Sequence, residues 1–155
     1  QFSVSAIVNQ KYNNWEDSYF STSSGKERSY NDEGSTNIGL RGWWRPQETG
    51  TATPSISVGF DTSETDADTN SNTNMYFVGL QWQDMFQADD RIGLAFGQPQ
   101  KREDESVTPF AWEAYYQFQV NDSVSVTPAV FGGSDRNGEA TGDITGAVLE
   151  TTFKF

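Results

Sequence analysis

The chain has 155 residues, is 34% hydrophobic and 14% aromatic, and carries a formal net charge of −12. It contains neither Cys nor His, which removes disulfides, thiolate and imidazole metal sites, and the commonest general base. The acidity argues against a nucleic-acid partner, and no apolar run approaches the ~20 residues that a spanning helix needs.

The apolar residues alternate, which is strand periodicity. In the first strand, Phe2, Val4, Ala6 and Val8 interleave with Ser3, Ser5 and Ile7. Asn9 to Ser35 is polar and reads as a long loop. The second strand, Thr36 to Arg45, sets Ile38, Leu40, Gly42 and Trp44 against Asn37, Gly39, Arg41, Trp43 and Arg45. A turn from Pro46 to Pro54 leads to the third, Ser55 to Asp61, with Ile56, Val58 and Phe60 aligned. After a polar loop, Thr62 to Thr73, the fourth strand (Asn74 to Gln83) aligns Tyr76, Val78, Leu80 and Trp82. Asp84 to Asp90 connects it to the fifth, Arg91 to Gly97, where Ile92, Leu94 and Phe96 share a face. Gln98 to Pro109 reads as a charged loop. The sixth strand, Phe110 to Val120, aligns Trp112, Ala114, Tyr116, Phe118 and Val120. Asn121-Asp122-Ser123 is a tight hairpin turn into the seventh, Val124 to Phe131. A Gly-rich loop then leads to the last strand, Gly142 to Phe155, with Thr145, Ala147, Leu149, Thr151, Phe153 and Phe155 on one side.

Three regularities run across the strands. The apolar side of all eight holds no Asp, Glu, Lys or Arg, and every strand charge (Arg41, Arg45, Asp61, Arg91, Glu113, Asp143, Glu150, Lys154) falls on the other side. Connections after odd strands read as long and those after even strands as shorter. Aromatics cluster near strand ends with aliphatics between. Trp44, Trp82, Phe118 and Phe153 fall towards the short-turn end, and Phe60, Tyr76, Phe96 and Trp112 towards the long-loop end. Together these predict an all-β, antiparallel up-and-down transmembrane barrel with an apolar lipid face, two aromatic girdles and long outer loops. Arg41, Trp43, Arg45, Asp61, Arg91, Glu113 and Glu150 would then line the lumen. Two other readings compete: a small closed eight-stranded barrel with a structural or binding role, and a soluble secreted β-sandwich that binds carbohydrate. Seven inward positions hold Gly39, Gly59, Gly79, Gly93, Ala95, Gly97 and Gly146. These small residues would underfill an eight-stranded interior, so a wider barrel is expected. No signal peptide is visible at Gln1, so a leader is expected to have been removed, or the chain to be a piece of a longer one.

The segment V-N-D-S-V-S-V-T-P-A-V-F (Val120 to Phe131) and the ending D-I-T-G-A-V-L-E-T-T-F-K-F (Asp143 to Phe155) resemble the C-terminus of cyanobacterial outer-membrane porins. That family is OprB-like and carbohydrate-selective, often labelled iron uptake porins. Asp90-Arg91-Ile92-Gly93-Leu94-Ala95-Phe96-Gly97 also looks like it, and the likeness is looser over Gln1 to Gly50. The resemblance implies a passive channel in the cyanobacterial outer membrane. It would pass carbohydrates, iron or other inorganic ions and small hydrophilic solutes, with no cofactor. It implies outer-membrane lipid and the barrel insertion machinery as partners, Phe153 and Phe155 as the assembly signal, and admits homo-oligomers. Full members are larger, with more strands and a surface-layer-homology domain. Residues 1–155 therefore read as the C-terminal barrel portion of a porin.

Few stretches suggest other chemistry. Asp66-Ala-Asp68-Thr-Asn70-Ser-Asn72 starts like a calcium loop, but an EF-hand needs Gly where Ser71 stands and Glu where Phe77 stands. Glu103-Asp104-Glu105 beside Lys101-Arg102 reads as a mixed-charge loop. Arg41 and Arg45 beside Trp43 could grip a sugar by stacking, although general lumen lining is the simpler reading. Without His or Cys, no nucleophile–base pair can be argued, and the chain reads as non-enzymatic.

Sorted by location, the acidity lies mainly in the loops and turns, while the inward strand charges nearly cancel. Arg45, Arg91 and Lys154 fall towards the short-turn end, with Asp61 and Glu113 towards the other. Acidic mouths concentrate cations, so a pore built this way should be weakly cation-selective at low salt. That selectivity should fade as the Debye length falls from ~10 Å at 0.1 M to ~3 Å at 1 M. Reversal potentials in KCl gradients at low and high mean salt measure it; anion selectivity at low salt would contradict the charge map.

Overall fold

The computed structural model describes residues 1–12, 34–65, 72–135, 140 and 142–155. Eight strands form a single antiparallel sheet: β1 (Phe2–Lys11), β2 (Ser35–Trp44), β3 (Ser55–Thr65), β4 (Asn72–Gln83), β5 (Arg91–Arg102), β6 (Phe110–Asn121), β7 (Val124–Ser134) and β8 (Ile144–Phe153). Their spatial order is their sequence order. The strands do not divide into the two packed sheets of a sandwich, and β1 and β8 each have a neighbour on one side only, so the sheet is open.

Register decides what each side of the sheet carries. Because side chains alternate with a period of two, residues directly opposite each other share a side. One row runs Phe2, Trp44, Ile56, Leu80, Leu94, Ala114, Val130 and Ala147 across all eight strands. A row on the opposite side runs Ser3, Trp43, Ser57, Gly79, Ala95, Glu113, Phe131 and Gly146. Along these rows the registers stay in phase, and the register shifts fall outside them, near Asn74 in β4–β5 and near Asn121 in β6–β7, so the apolar side stays continuous from edge to edge there.

The usual inside and outside are exchanged. The only buried hydrophobic among the described residues is Ala129, whereas Asn37, Ser63, Thr73 and Asp61 are buried. Leu40, Ile56, Val58, Phe60, Leu94 and Phe96 are exposed on the apolar side.

The strands outrun their sequence-based ends, and they do so at the long-loop end. β3 continues from Asp61 to Thr65, β4 begins at Asn72, and β5 continues past Gly97 to Arg102. Alternation fails as a guide there because both sides turn polar. Beyond the Phe60–Tyr76 pair, the apolar side carries Thr62 opposite Asn74 and Glu64 opposite Asn72. Lys101, opposite Asn74, joins them. Two expectations are thereby corrected. The apolar side is charge-free only as far as the Phe60–Tyr76 pair. Connection length does not alternate consistently either: 66–71, joining β3 to β4, is shorter than 45–54, joining β2 to β3. The two ends differ instead in how far the paired strands run past the apolar band.

In β5 the pattern is also broken by a bulge. Tyr76 opposes Gln98 and Asn74 opposes Lys101, so β5 carries one extra residue in the interval that holds Pro99. A bulge is where a sheet tolerates proline. The second strand proline, Pro128, sits where pairing of β6 with β7 lapses between Tyr115–Ala129 and Phe118–Val126.

The connections at the short-turn end lock together. Gly50, at φ 68°, donates its N–H to Gln83 O at 2.8 Å, and the Trp82 indole donates to Ala52 O at 2.9 Å. In the next connection, Asp84 and Asp89 take positive φ, which Asp tolerates better than most residues. Asp90 is fully buried there. Its carboxylate accepts from the N–H groups of Met85 (2.8 Å), Phe86 (3.0 Å) and Gln87 (3.2 Å) and from the Tyr116 hydroxyl (3.0 Å). Burial alone would raise the Asp90 pKa. The hydrogen bonds from Phe86, Met85, Tyr116 and Gln87 outweigh it and hold the pKa below its ordinary 3.8. A carboxyl with a depressed folded-state pKa adds stability above its unfolded-state pKa, and that stability is lost as pH falls through the folded value. Asp90→Asn should therefore lower the urea midpoint at pH 7, and the gap from wild type should close in acid. A gap that is constant with pH would show that the carboxylate charge is not what holds this turn.

Candidate functional site: the polar side of the sheet

The lining residues expected from the sequence do share one side. Arg41 lies opposite Gly59, Trp43 opposite Ser57, Asp61 opposite Gly39, Arg91 opposite Gln117, Glu113 opposite Phe131 and Glu150 opposite Thr127. Arg45, next after Trp44 on β2, keeps the ladder going by donating its N–H to Gln1 O at 2.8 Å.

Arg41 is already engaged within the sheet. Its guanidinium meets Asp61 through two bonds, Nη1 to Oδ1 at 2.8 Å and Nη2 to Oδ2 at 2.7 Å. It also donates to Leu40 O and Phe60 O and lies 5.5 Å from the Phe77 ring centroid. Such a fork-to-fork pair is among the stronger protein hydrogen-bond arrangements. Arg45 stacks instead on Trp43, 5.5 Å from a ring centroid. The three residues of the alternative sugar grip, Arg41, Trp43 and Arg45, thus separate into an ion pair of Arg41 with Asp61 and a cation stacked on Trp43.

Beyond Asp61 the polar side carries a hydrogen-bonded set of amide and hydroxyl groups, with the buried Lys11 in register beside Ser35. The Asn37 amide donates to Ser35 Oγ (3.2 Å) and to Asn9 O and Oδ1 (3.4 and 3.3 Å), and accepts from Ser63 Oγ at 2.6 Å. Buried amide and hydroxyl groups need such partners. The sequence gives this set no distinctive signature, since Asn9, Ser35 and Ser63 fall in stretches that read as loops.

The glycines have a different role from the one expected. A Cβ on Gly59 would run into the Phe77 ring, one on Gly93 into the Tyr115 ring and one on Gly146 into the Phe131 ring. Each ring comes from the neighbouring strand and lies over the glycine, an aromatic rescue of sheet glycine. Tyr115 reaches far enough across β5 for its hydroxyl to accept from Gln81 Nε2 at 2.8 Å. The small residues therefore leave no voids at these points, and the rings are folded down onto the sheet. Shallow hollows remain between them. One of about 270 Å³ is lined by Trp43, Arg45, Ser57, Gly79, Gln81 and Tyr115 among others, and one of about 300 Å³ by Glu113, Tyr115, Gln117 and Glu150 among others.

On the apolar side, Trp44, Phe60, Tyr76, Phe96 and Phe153 are exposed, and Trp82, Trp112 and Phe118 are half-buried. Sequence reading left Phe2, Phe86 and Phe110 out of the girdles, and Phe2 lies exposed opposite Trp44. Phe110 is exposed at the long-loop end. Phe86, 78% exposed, projects from the turn at the other end in a T-shaped contact with Tyr116. A turn residue has no strand phase, so periodicity could not find Phe86. The calcium-like stretch falls on residues 66–71, outside the described residues, apart from Asn72. Glu103 to Glu105 form a turn in which Arg102 N–H donates to Glu105 Oε2 at 2.9 Å.

No family model matches the chain, and searches of curated proteins and of solved structures return no match.

The Arg41–Asp61 pair is lopsided, since the Arg41 side chain is 40% exposed and Asp61 only 1%. Removing the buried partner leaves a cation that water can reach; removing Arg41 strands a buried carboxylate. Arg41→Ala should therefore destabilise more than Asp61→Ala, by about 1–2 kcal/mol, within the range of about 1–3 kcal/mol for a buried polar group left without its partner. Urea unfolding of the two variants and their double mutant measures this; equal costs would mean that Asp61 is solvated in the working protein.

Proposed function

We propose that this chain is the strand-rich portion of an outer-membrane porin and forms part of the wall of a passive diffusion channel for ions and small hydrophilic solutes. One observation carries the reading: a continuous, exposed apolar side backed by a polar side whose buried groups include Lys11, Asn37, Asp61, Ser63 and Thr73. In water such a surface would drive aggregation. In a bilayer it is the stable arrangement, because hydrocarbon replaces the missing core.

Three further features agree. The six outward positions of β6, Phe110 to Val120, span the length expected of a tilted transmembrane strand, ~9–11 residues. Beyond the Phe60–Tyr76 pair the strands turn polar on both sides, as a wall does when it leaves the membrane. The residues bearing on the lumen include Arg45, Arg91, Glu113 and Glu150, charges that belong against water. A cyanobacterial outer membrane, its lipid and its barrel insertion machinery, with Phe153 and Phe155 as the assembly signal, follow from the C-terminal resemblance. Sugars, iron and other inorganic ions are the solutes that the same resemblance brings.

Leu80 lies in the middle of the apolar side, opposite Ile56 and Leu94, and Gln81 is its neighbour on the polar side. In refolding into liposomes, Leu80→Arg should cost about 2–4 kcal/mol, the range for an arginine at the lipid midplane. Gln81→Arg should cost only the bond to Tyr115, about 1 kcal/mol. Equal costs, or full solubility of the wild type without detergent, would overturn the membrane reading.

A further inference from the structure

Two aromatic rings on the polar side lean away from each other. Phe77 on β4 lies over Gly59 on β3, and Phe131 on β7 lies over Gly146 on β8. The strip between them, on β5 and β6, carries Ala95, Gly97 and Ala111, which are too small to fill the space that the rings vacate. A hollow of about 400 Å³ results, lined by these residues with Met75 and Glu113 among others. Towards the long-loop end it runs into a second hollow of about 630 Å³, the two sharing Pro99, Ala111, Phe131 and Gly132.

We infer that this strip is a binding site for an organic ammonium ion, whose apolar body lies on the floor of Ala95, Gly97 and Ala111 and whose charge meets the Glu113 carboxylate. The inference deepens the channel reading above and rests on it, since it names a class of solute that the wall would hold in passing.

Charge and polarity choose that class. Glu113 is exposed, and among the described residues it has neither an ion-pair nor a hydrogen-bond partner. Arg41, resting over Phe77 at one flank of the strip, is committed to Asp61. The hollow therefore presents a mostly apolar surface with one unneutralised carboxylate, the arrangement that orients an organic ligand by a single polar group. A small inorganic cation would keep its hydration shell and gain nothing from the floor. An anion would meet Glu113 as a like charge. A sugar would find few partners for its hydroxyls, because the amide of Gln98, the other polar side chain at the hollow, is spent on Asn74 Oδ1 at 2.6 Å. The Phe131 ring, 39% exposed, adds an aromatic face beside the carboxylate, which favours a cation further.

Calorimetric titration of the refolded chain in nonionic detergent micelles at pH 7 tests this, with benzylammonium, benzyl alcohol, benzoate and glucose as probes. Benzylammonium should bind saturably and about tenfold more tightly than its neutral isostere benzyl alcohol, the scale of one hydrogen bond to a charged group. Glu113→Gln should abolish that difference, and Glu113→Lys should transfer the preference to benzoate. Glu150→Gln, which alters a carboxylate of the same side outside this hollow, should leave it intact. Ala111→Leu, which fills the floor, should weaken benzylammonium and benzyl alcohol alike. Equal affinity for these two probes, a preference that survives Glu113→Gln, or tighter binding of glucose than of benzylammonium would overturn the proposal. The comparison of Leu80→Arg with Gln81→Arg reads the membrane assignment separately. That assignment can fail while benzylammonium still binds at Glu113, and the site can fail while the assignment holds, so the two failures are distinct.

Discussion

Everything in this sheet depends on cross-strand register. The sequence supplies alternation strand by strand, but alternation by itself leaves each strand free to present either side. Seven antiparallel ladders in matching phase turn eight separate patterns into two surfaces, one apolar and one polar. A single slip in any ladder would put charges such as Arg41 or Glu113 among Leu40, Val58 and Trp112. The tight β6–β7 hairpin pins one register directly. The turn built around Asp90 pins another, with its donors arranged around one buried carboxylate.

The polar side shows how a sheet can carry large aromatics without standing them off its surface. Phe77, Tyr115 and Phe131 lie down over Gly59, Gly93 and Gly146, so three large rings take up little height. The glycine and the ring are a matched pair: a side chain on the one would lift the other off the sheet. Arg41 rests over Phe77 and is tied to Asp61, so the largest cation near the middle of the sheet is held against the surface as well. The result is a surface that is chemically varied and geometrically thin.

Much of the fold was legible in the sequence. All eight strands, their order along the chain and the side taken by Arg41, Trp43, Arg45, Asp61, Arg91, Glu113 and Glu150 follow from period-two alternation. What escaped was of two kinds. The polar extensions of β3, β4 and β5 have no contrast between their sides, so Glu64, Asn72 and Lys101 carry no phase to read. The extra residue in β5 near Pro99 then inverts the phase, so even a reader who continued past Gly97 would have assigned Lys101 and Arg102 to the wrong sides. Pairings of individual groups, such as Arg41 with Asp61 or Tyr116 with Asp90, needed coordinates, because neither partner announces the other along the chain.

The order of the strands also bears on how the sheet assembles. Every ladder joins strands adjacent in sequence, so no pairing has to wait for a distant part of the chain. What differs is the loop each ladder must close. The entropy of closure grows by roughly 0.6 kcal/mol for each doubling of loop length. Joining β1 to β2 across residues 12–34 therefore costs about 1 kcal/mol more than joining β4 to β5 across 84–90, and the two-residue connection at Asp122-Ser123 is the shortest of all. Zippering is thus biased to begin at the β6–β7 hairpin and to spread outwards, with β1 the last strand to dock. The edge at β8 is in place while the one at β1 is still forming, which gives a sheet of identical neighbours a time order that its geometry alone does not have.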